Sequence, residues 1–233
     1  MRYVDDLRTG FGMMLHPAES SRVDFGVRRA LLLYYELVLI PIALLAVFSF
    51  ARLNFGPQIE VWQGTITLQH LLGRQLIYPA GIIPSILSFY GIGYMQGMFS
   101  GAIAQFAAYA LLIPLVLVPI GLICQAAIYH LVGKRFLNLW GGAYKKTFTG
   151  VVLGSMPLLL FFWLSPIPLL GLWAAVVLRG WNVTALTIGV AEQQRVERFK
   201  SAIVVILLEL IPIVWLSLMY AISNFGVFNG AIL

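Results

Sequence analysis

The sequence contains few charged residues, and one long part of it contains none. Only 10% of its 233 residues are Asp, Glu, Lys or Arg, whereas soluble domains carry roughly 25%. From Gln75 to Gly133 there is no Lys, Arg, Asp or Glu across 59 consecutive residues, and most of these are apolar. A soluble domain needs charged residues to cover its surface. The sequence therefore argues against a soluble globular protein and predicts that a lipid bilayer covers the exterior of the chain.

Cysteine and histidine are also scarce. Cys124 is the single cysteine, which excludes an intrachain disulfide and a thiolate metal cluster. Because Cys124 lies in an apolar run, we expect it to be a small buried side chain. The three histidines, His16, His70 and His130, do not fall at metal-ligand spacing. The sequence predicts no metal site.

Motifs for common enzyme chemistry are absent from the sequence. It has no GxSxG nucleophile motif, no GxxxxGK[ST] phosphate-binding loop and no GxGxxG dinucleotide motif. We therefore expect no catalytic residues, no cofactor-binding residues and no cofactor. The formal net charge of +6 would suggest nucleic acid as the partner of a soluble protein. Here the positive residues lie at the ends of apolar runs, so we expect no nucleic-acid partner.

Apolar runs of about the length of a bilayer span dominate the rest of the chain. A membrane-crossing helix takes roughly 20 residues, and the runs predict an all-α, polytopic transmembrane helix bundle of about five spans. The segment Tyr78–Phe99 is apolar but rich in glycine and proline, so it makes a poor straight helix. It is interpreted as a re-entrant or interfacial segment, with a broken span as the alternative. The predicted spans are Ala30–Ala51, Tyr109–Val132, Thr147–Leu164, Leu169–Val190 and Ser201–Ile222.

These runs divide the chain into three parts. Residues 1–29 are predicted to form a cytoplasmic amphipathic segment, residues 30–222 the transmembrane domain, and residues 223–233 a non-cytoplasmic tail. Within residues 1–15 the apolar side chains recur at helical spacing opposite charged ones. Such a helix lies in the membrane interface or packs on the cytoplasmic face of the protein itself. The apolar residues of this pattern are Val4, Leu7, Phe11, Met14 and Leu15.

Basic residues are concentrated in three segments. The N-terminal segment carries five, the loop 133–146 four and the loop 192–200 three. Since Lys and Arg are retained on the cytoplasmic side, this bias predicts a cytoplasmic N-terminus and a C-terminus outside. If segment 78–99 crossed the bilayer fully, the loop 133–146 with its four basic residues would lie outside, which is why we expect that it does not cross. The predicted cytoplasmic basic face consists of Lys134, Arg135, Lys145, Lys146, Arg195, Arg198 and Lys200.

Three ionisable residues lie inside predicted spans, namely Glu36, Arg179 and Glu209. Charges within a membrane are costly and usually pair in the bundle interior. We therefore expect Arg179 to pair with Glu209, or with both glutamates. One interpretation is a proton or substrate site. The other is a buried pair that holds the helices in register.

Several stretches resemble the Yip1 domain family. Leu15-His16-Pro17-Ala18-Glu19 is similar to the entry segment before that family's first span. His130–Phe148 resembles its glycine-then-basic loop, and Leu172–Lys200 its fourth span with the following cytoplasmic loop. The resemblance covers residues 12–222. It implies five spans, a cytoplasmic N-terminus and location in the cytoplasmic membrane of a bacterium or archaeon, since the short N-terminal segment is similar to that of prokaryotic members.

The resemblance supplies no catalytic residue. Eukaryotic members of the family are linked to vesicle traffic and Rab-type GTPases through longer cytoplasmic N-termini than this one. Our leading hypothesis is a non-enzymatic scaffold or accessory subunit, with the lipid bilayer and other membrane proteins, or another copy, as partners. A small transporter or channel that uses the Arg/Glu site and segment 78–99 is the alternative. A lipid-modifying enzyme is a third hypothesis, for which the candidate polar residues are His130, Lys134 and Arg135.

Overall fold

The computed structural model describes residues 2–23, 25–55, 108–164 and 170–209. Within these ranges every regular element is a helix and no residue lies in a strand, so the all-α prediction is confirmed for them. π-helical turns at Ala108–Leu117 and Leu131–Phe136 extend α4 at both ends, and a 3-10 turn, Phe162–Leu164, follows α6. The helices are α1 (Arg2–Leu15), α2 (Pro17–Ser20), α3 (Val27–Phe55), α4 (Val118–His130), α5 (Tyr144–Gly154), α6 (Met156–Phe161), α7 (Leu170–Gln194) and α8 (198–209).

Among the described residues, one helix has the length and hydropathy to cross a membrane. It is Pro114–Phe136, with a mean hydropathy of 2.1. This continuous helix includes most of the predicted second span. This finding does not by itself confirm five spans. The segments 78–99, 165–168 and 223–233 lie outside the described residues.

The short helix α5 is the centre of the bundle. Every residue from Thr147 to Leu160 is buried, and α5 packs against α3, α4 and α7. The predicted span Thr147–Leu164 is interrupted at Ser155, between α5 and α6. Pro157 explains the break, because it has no N–H to donate to the carbonyl of Leu153. At the end of α5 the hydroxyl and the N–H of Ser155 both donate to the carbonyl of Val151, at 2.7 and 3.0 Å.

Three glycines allow α5 and α7 to touch through their backbones. A Cβ at Gly154 would lie 2.5 Å from Leu186 Cα, and one at Gly150 would lie 2.8 Å from the carbonyl oxygen of Gly189. A Cβ at Gly189 would in turn meet the Gly150 carbonyl oxygen at 2.7 Å. Gly150 and Gly154 form a GxxxG pair, the spacing that lets helices approach closely in membranes.

Two adjacent tyrosines of α3 compensate for a proline in the extended α4 helix. Pro119 lacks an N–H, so it cannot donate to the carbonyl of Leu115 in an α-helical register or to that of Pro114 in a π-helical one. The Tyr34 hydroxyl donates to the Pro114 carbonyl, and the Tyr35 hydroxyl donates to the Leu115 carbonyl at 3.1 Å. A buried backbone carbonyl needs such a partner, because an unpaired buried polar group is costly.

Helix α1 packs along the side of the bundle. A Cβ at Gly10 would lie 2.8 Å from Leu37 Cδ1, and the side chain of Met13 is fully buried. Leu37 is about 15 Å along α3 from Val27, at 1.5 Å per residue, and α1 also packs against α6. Helix α1 therefore contacts the protein's own helices α3 and α6.

The outer faces of the long helices are apolar. On α4 the exposed side chains include Ile120, Ile123 and Ile128, and on α3 they include Leu39 and Ile40. Cys124 is also exposed on α4, so the prediction that it is buried was wrong. The reason is that an apolar run alone does not tell which side of a helix faces the bundle when both sides are apolar.

A closed polar cluster and a basic end

The buried carboxylate of Glu209 on α8 is bonded by three side chains from two other helices. Arg179 Nη2 donates to Glu209 Oε2 at 2.6 Å. Gln125 Nε2 and the Tyr129 hydroxyl donate to Oε1 at 2.6 and 2.7 Å. Both carboxylate oxygens are therefore occupied, and the guanidinium balances the charge. Hydrogen bonds to an ionised group are stronger than those between neutral groups.

Helical spacing positions these donors. Gln125 and Tyr129 are one turn apart on α4, so both side chains lie on the same face, and a further hydrogen bond of 3.4 Å joins Gln125 Nε2 to the Tyr129 hydroxyl. Arg179 and Asn182 share a face of α7 in the same way. Gln125, Tyr129 and Glu209 have relative exposures of 1%, Arg179 6% and Asn182 0%. We refer to these five residues as the Glu209 cluster.

The Glu209 cluster retains polar atoms without a hydrogen-bond partner in the described part of the chain. They are Arg179 Nε and Nη1, Gln125 Oε1, and both amide atoms of Asn182. Buried polar atoms of this kind are rare in proteins and costly when unpaired. They include donors and acceptors, so their chemistry suits a small polar molecule that can act as both.

An apolar layer separates the Glu209 cluster from the end of the bundle where α7 ends and α8 begins. On α7 the buried positions between Asn182 and that end include Leu186 and Val190, and on α8 they are Val204, Val205 and, in the first turn of the helix, Ser201, all fully buried. Along these two described helices the polar residues are thus not continuous. On this side the cluster is closed.

Glu36 is not bonded to the Glu209 cluster. Its carboxylate lies 3.5 Å from Arg29 Nη1, two turns earlier on α3, and the two side chains are 31% and 24% exposed. The sequence predicts that Arg179 pairs with Glu209 or with both glutamates. The structure places Arg179 against Glu209 and places Glu36 in a separate, half-buried pair.

Three polar segments meet where α7 ends. Gln193 Nε2 donates to the carbonyls of Ser21 and Val23, at 2.5 and 2.7 Å. Gln194 Nε2 donates to Thr147 Oγ1 at 2.6 Å, and His130 Nδ1 lies 2.9 Å from the same hydroxyl. These contacts bring the chain around α2, the loop before α5 and the turn after α7 to one end of the bundle.

This end carries the residues predicted as the cytoplasmic basic face, and we call it the basic end. The side chains of this set are exposed, except that of Lys146, which is partly buried. Glu192 is paired at 3.3 Å with Arg22 and at 3.5 Å with Arg198. The set is Lys134, Arg135, Lys145, Lys146, Arg195, Arg198 and Lys200.

The turn at Arg195 ends α7 before α8 begins. Arg195 has a φ of 56°, in the left-handed region. The N–H of Val196 donates to the carbonyl of Ala191 at 3.0 Å, and that of Arg195 to the carbonyl of Glu192 at 3.3 Å. This is the Schellman pattern that closes a helix, with arginine where glycine is usual.

Gln125, Tyr129 and Asn182 are members of the Glu209 cluster that were not predicted from the sequence. A signal was present, because Gln125 and Tyr129 stand one turn apart in an apolar run, and Arg179 and Asn182 do so in another. Polar pairs at helical spacing in such runs share a face of the helix, and that face is expected to turn inward.

No group of three or more His, Cys, Asp or Glu residues that could hold a metal ion occurs among the described residues. Comparison of this chain with protein-family models, with curated proteins and with solved structures finds no match.

Proposed function

We propose that this chain is a multi-pass integral membrane protein of the short Yip1 type that acts as a non-enzymatic scaffold or accessory subunit. In this proposal about five spans cross the cytoplasmic membrane of a bacterium or archaeon. The N-terminus is cytoplasmic and the C-terminus lies outside. The lipid bilayer and other membrane proteins, or another copy, are its partners.

The membrane placement is supported by the distribution of side chains over the described helices. Apolar side chains such as Ile120, Ile128 and Leu39 face outward, while Arg179 and Glu209 are buried as a pair 2.6 Å apart. Among the described residues, the exposed charged side chains concentrate at the basic end, apart from Asp5 and Arg8 on α1. This distribution fits a bundle whose middle faces hydrocarbon and whose basic end faces the anionic cytoplasmic leaflet.

The observation that carries the choice of a scaffold is the enclosure of the Glu209 carboxylate. Both of its oxygens are bonded by protein side chains, and along α7 and α8 fully buried leucine and valine residues lie between it and the basic end. A substrate or proton site needs an aqueous route. A carboxylate held in this manner instead joins α4, α7 and α8 and fixes their register.

A small transporter or channel is the second candidate function. The unpartnered buried atoms of Arg179, Gln125 and Asn182 favour it, because they could bind a small polar solute. A transporter should lose solute flux when the Arg179–Glu209 pair is removed. A scaffold should give no flux with or without the pair.

The experiment has a flux arm and a complex arm. In proteoliposomes loaded with ions or protons, we expect wild type, Arg179→Ala and Glu209→Gln to leak no faster than protein-free liposomes. Flux through wild type that both variants abolish would overturn the scaffold proposal in favour of transport. In native membranes, a photo-crosslinking residue at Ile120 or Ile128 is expected to give a protein adduct of constant mass. Lipid adducts alone at both sites, with a chain that always migrates by itself, would contradict the proposal.

A further inference from the structure

Three buried side chains of the Glu209 cluster keep hydrogen-bonding capacity that the cluster itself does not use. Arg179 donates to the carboxylate through Nη2, while its Nε and Nη1 have no partner in the described part of the chain. Gln125 donates through its amide nitrogen and leaves Oε1 unpaired there, and Asn182 leaves both amide atoms unpaired. The relative exposures of the three side chains lie between 0% and 6%, so bulk solvent does not supply the missing bonds.

These three side chains surround one carboxylate. Gln125 and Arg179 reach Glu209 from α4 and α7, each at 2.6 Å. Asn182 is one turn from Arg179 on α7. It precedes the turn at Arg195 by about as many residues as Glu209 follows it, so Asn182 and the carboxylate stand at one level of the bundle. The unpaired atoms are therefore gathered around the same point.

The unpaired atoms include donors and acceptors that do not bond to each other. Asn182 Nδ2 and the two Arg179 nitrogens are donors, whereas Gln125 Oε1 and Asn182 Oδ1 are acceptors. All five remain unpaired, so no donor of this set is near enough to an acceptor, or well enough aligned, for a direct bond. A molecule that lies between a donor and an acceptor bonds to both.

The electrostatics of the site favour a neutral molecule. The charges of Arg179 and Glu209 already balance, and a third charge at this depth would be buried without a countercharge, which is costly. Water is neutral, donates two hydrogen bonds and accepts two. Buried waters in proteins typically make about three bonds to polar groups that are otherwise unpaired.

We propose that the Glu209 cluster encloses bound water, about two molecules, which bridge Arg179 and Asn182 to Gln125. Two waters with about three bonds each satisfy the five unpaired atoms. The water completes the bonding of side chains that hold α4, α7 and α8 together, so it is part of the folded structure. It depends on the burial of the cluster and not on the scaffold role.

Radiolytic footprinting of the wild-type protein in nanodiscs tests for this water. An X-ray pulse converts water into hydroxyl radicals, which oxidise the side chains beside it. Tyr129 is 1% exposed and belongs to the cluster, whereas Tyr34 is 0% exposed and its hydroxyl is bonded to the carbonyl of Pro114. Tyr34 is therefore the matched control, a buried and bonded tyrosine outside the cluster. We expect Tyr129 to be oxidised several-fold faster than Tyr34, and equally slow oxidation of both would overturn the proposal.

Oxygen-18 labelling tests whether the water is enclosed. When the protein is mixed with labelled water at increasing times before the pulse, the label should enter oxidised Tyr129 later than oxidised Tyr144, which is partly exposed at the basic end. Entry at both tyrosines at the same time would show open access and overturn the enclosure. An organic solute released in stoichiometric amount on denaturation, and detected by mass spectrometry, would also overturn the assignment to water.

Asn182→Leu provides a second test through the sign of its effect on Tm. Leucine has about the shape of asparagine without the amide, so it should raise Tm if the amide is simply unpaired. If the amide binds water, leucine leaves the water and Arg179 short of a partner, and we expect Tm to fall and Tyr129 oxidation to slow. Thr184→Val, an exposed position of the same helix, is the control and should leave Tm unchanged.

A higher Tm for Asn182→Leu than for wild type would overturn the proposal of bound water. Failure of the scaffold role gives a different result. Lipid adducts alone from photo-crosslinkers at Ile120 and Ile128 would contradict the scaffold and leave the bound water standing.

Discussion

The bonding of Glu209 determines what substitutions in its cluster should do. Arg179→Leu removes the countercharge and leaves a buried carboxylate with only Gln125 and Tyr129 as donors. Breaking a buried ion pair by removing one partner costs about 3–5 kcal/mol. We therefore expect Arg179→Leu to lower the free energy of unfolding by that amount, measured by denaturation in mixed micelles.

The double variant Arg179→Leu/Glu209→Gln provides the control for uncompensated charge. It contains neither charge, and the new amide oxygen still accepts a bond from Tyr129, so it should recover more than half of the lost stability. Arg22→Leu removes a partner of Glu192 at the exposed basic end, where the Arg22 side chain is 69% exposed. It should change stability by no more than about 1 kcal/mol. Equal losses for Arg22→Leu and Arg179→Leu would contradict the structural role of the buried pair.

For single residues, the sequence identifies the charged members of the Glu209 cluster better than its uncharged polar members. Arg179 and Glu209 stand out because a charge in an apolar run needs a partner. Gln125 and Asn182 do not stand out, since uncharged polar residues are common in spans. The burial of Cys124 was mispredicted for a related reason. Hydropathy does not distinguish a face that meets lipid from a face that meets another helix when both are apolar.

Among the helices, the contact between α5 and α7 is the one most sensitive to added volume. A Cβ at Gly154 would lie 2.5 Å from Leu186 Cα, a backbone atom that cannot move aside alone. Gly154→Ala must push the two helices apart and should cost about 1–3 kcal/mol through overpacking. Thermal unfolding in detergent measures the loss.

Gly180 on α7 is the matched control for this prediction. A Cβ there would have no atom within 4 Å. Since alanine has the better helix propensity, Gly180→Ala should leave stability unchanged or raise it by up to about 1 kcal/mol. If Gly154→Ala is as stable as Gly180→Ala, the close backbone contact between α5 and α7 does not exist in the protein.

The presence of helices was predictable from the apolar runs. The residues at which the helices begin and end were harder to predict. The predicted span was Leu169–Val190, whereas α7 is Leu170–Gln194. The helix continues past the apolar run through polar residues and ends just before Arg195. Arginine carries no sequence signal for a left-handed closing position, in contrast to glycine. The interruption at Ser155 was missed because one proline in an apolar run can kink a helix or end it, and the choice depends on packing.

At the scale of the whole molecule, three basic segments lie together at one end of the bundle. They are the N-terminal segment, the loop 133–146 and the loop 192–200. The sequence assigned them to one side of a membrane from their charge alone. The structure brings them together through uncharged groups, such as Gln193 with the carbonyl of Ser21 and Gln194 with Thr147. Charge bias predicts which side a segment lies on, but hydrogen bonds between amides and backbone carbonyls cannot be read from charge.

The proposed topology predicts the accessibility of single cysteines in sealed membranes. In a Cys124→Ala background, cysteine in place of Glu19, Lys145 or Arg195 should react with a membrane-impermeant maleimide only in inside-out vesicles, because all three positions belong to the basic end. Wild-type Cys124 is exposed on the outer face of α4, where the proposal places lipid. It should therefore resist the same reagent in vesicles of either orientation and react once detergent replaces the lipid. Labelling of Lys145→Cys and Arg195→Cys from opposite sides would contradict the topology, and rapid labelling of Cys124 in intact vesicles would show that water reaches the face that the membrane placement assigns to lipid.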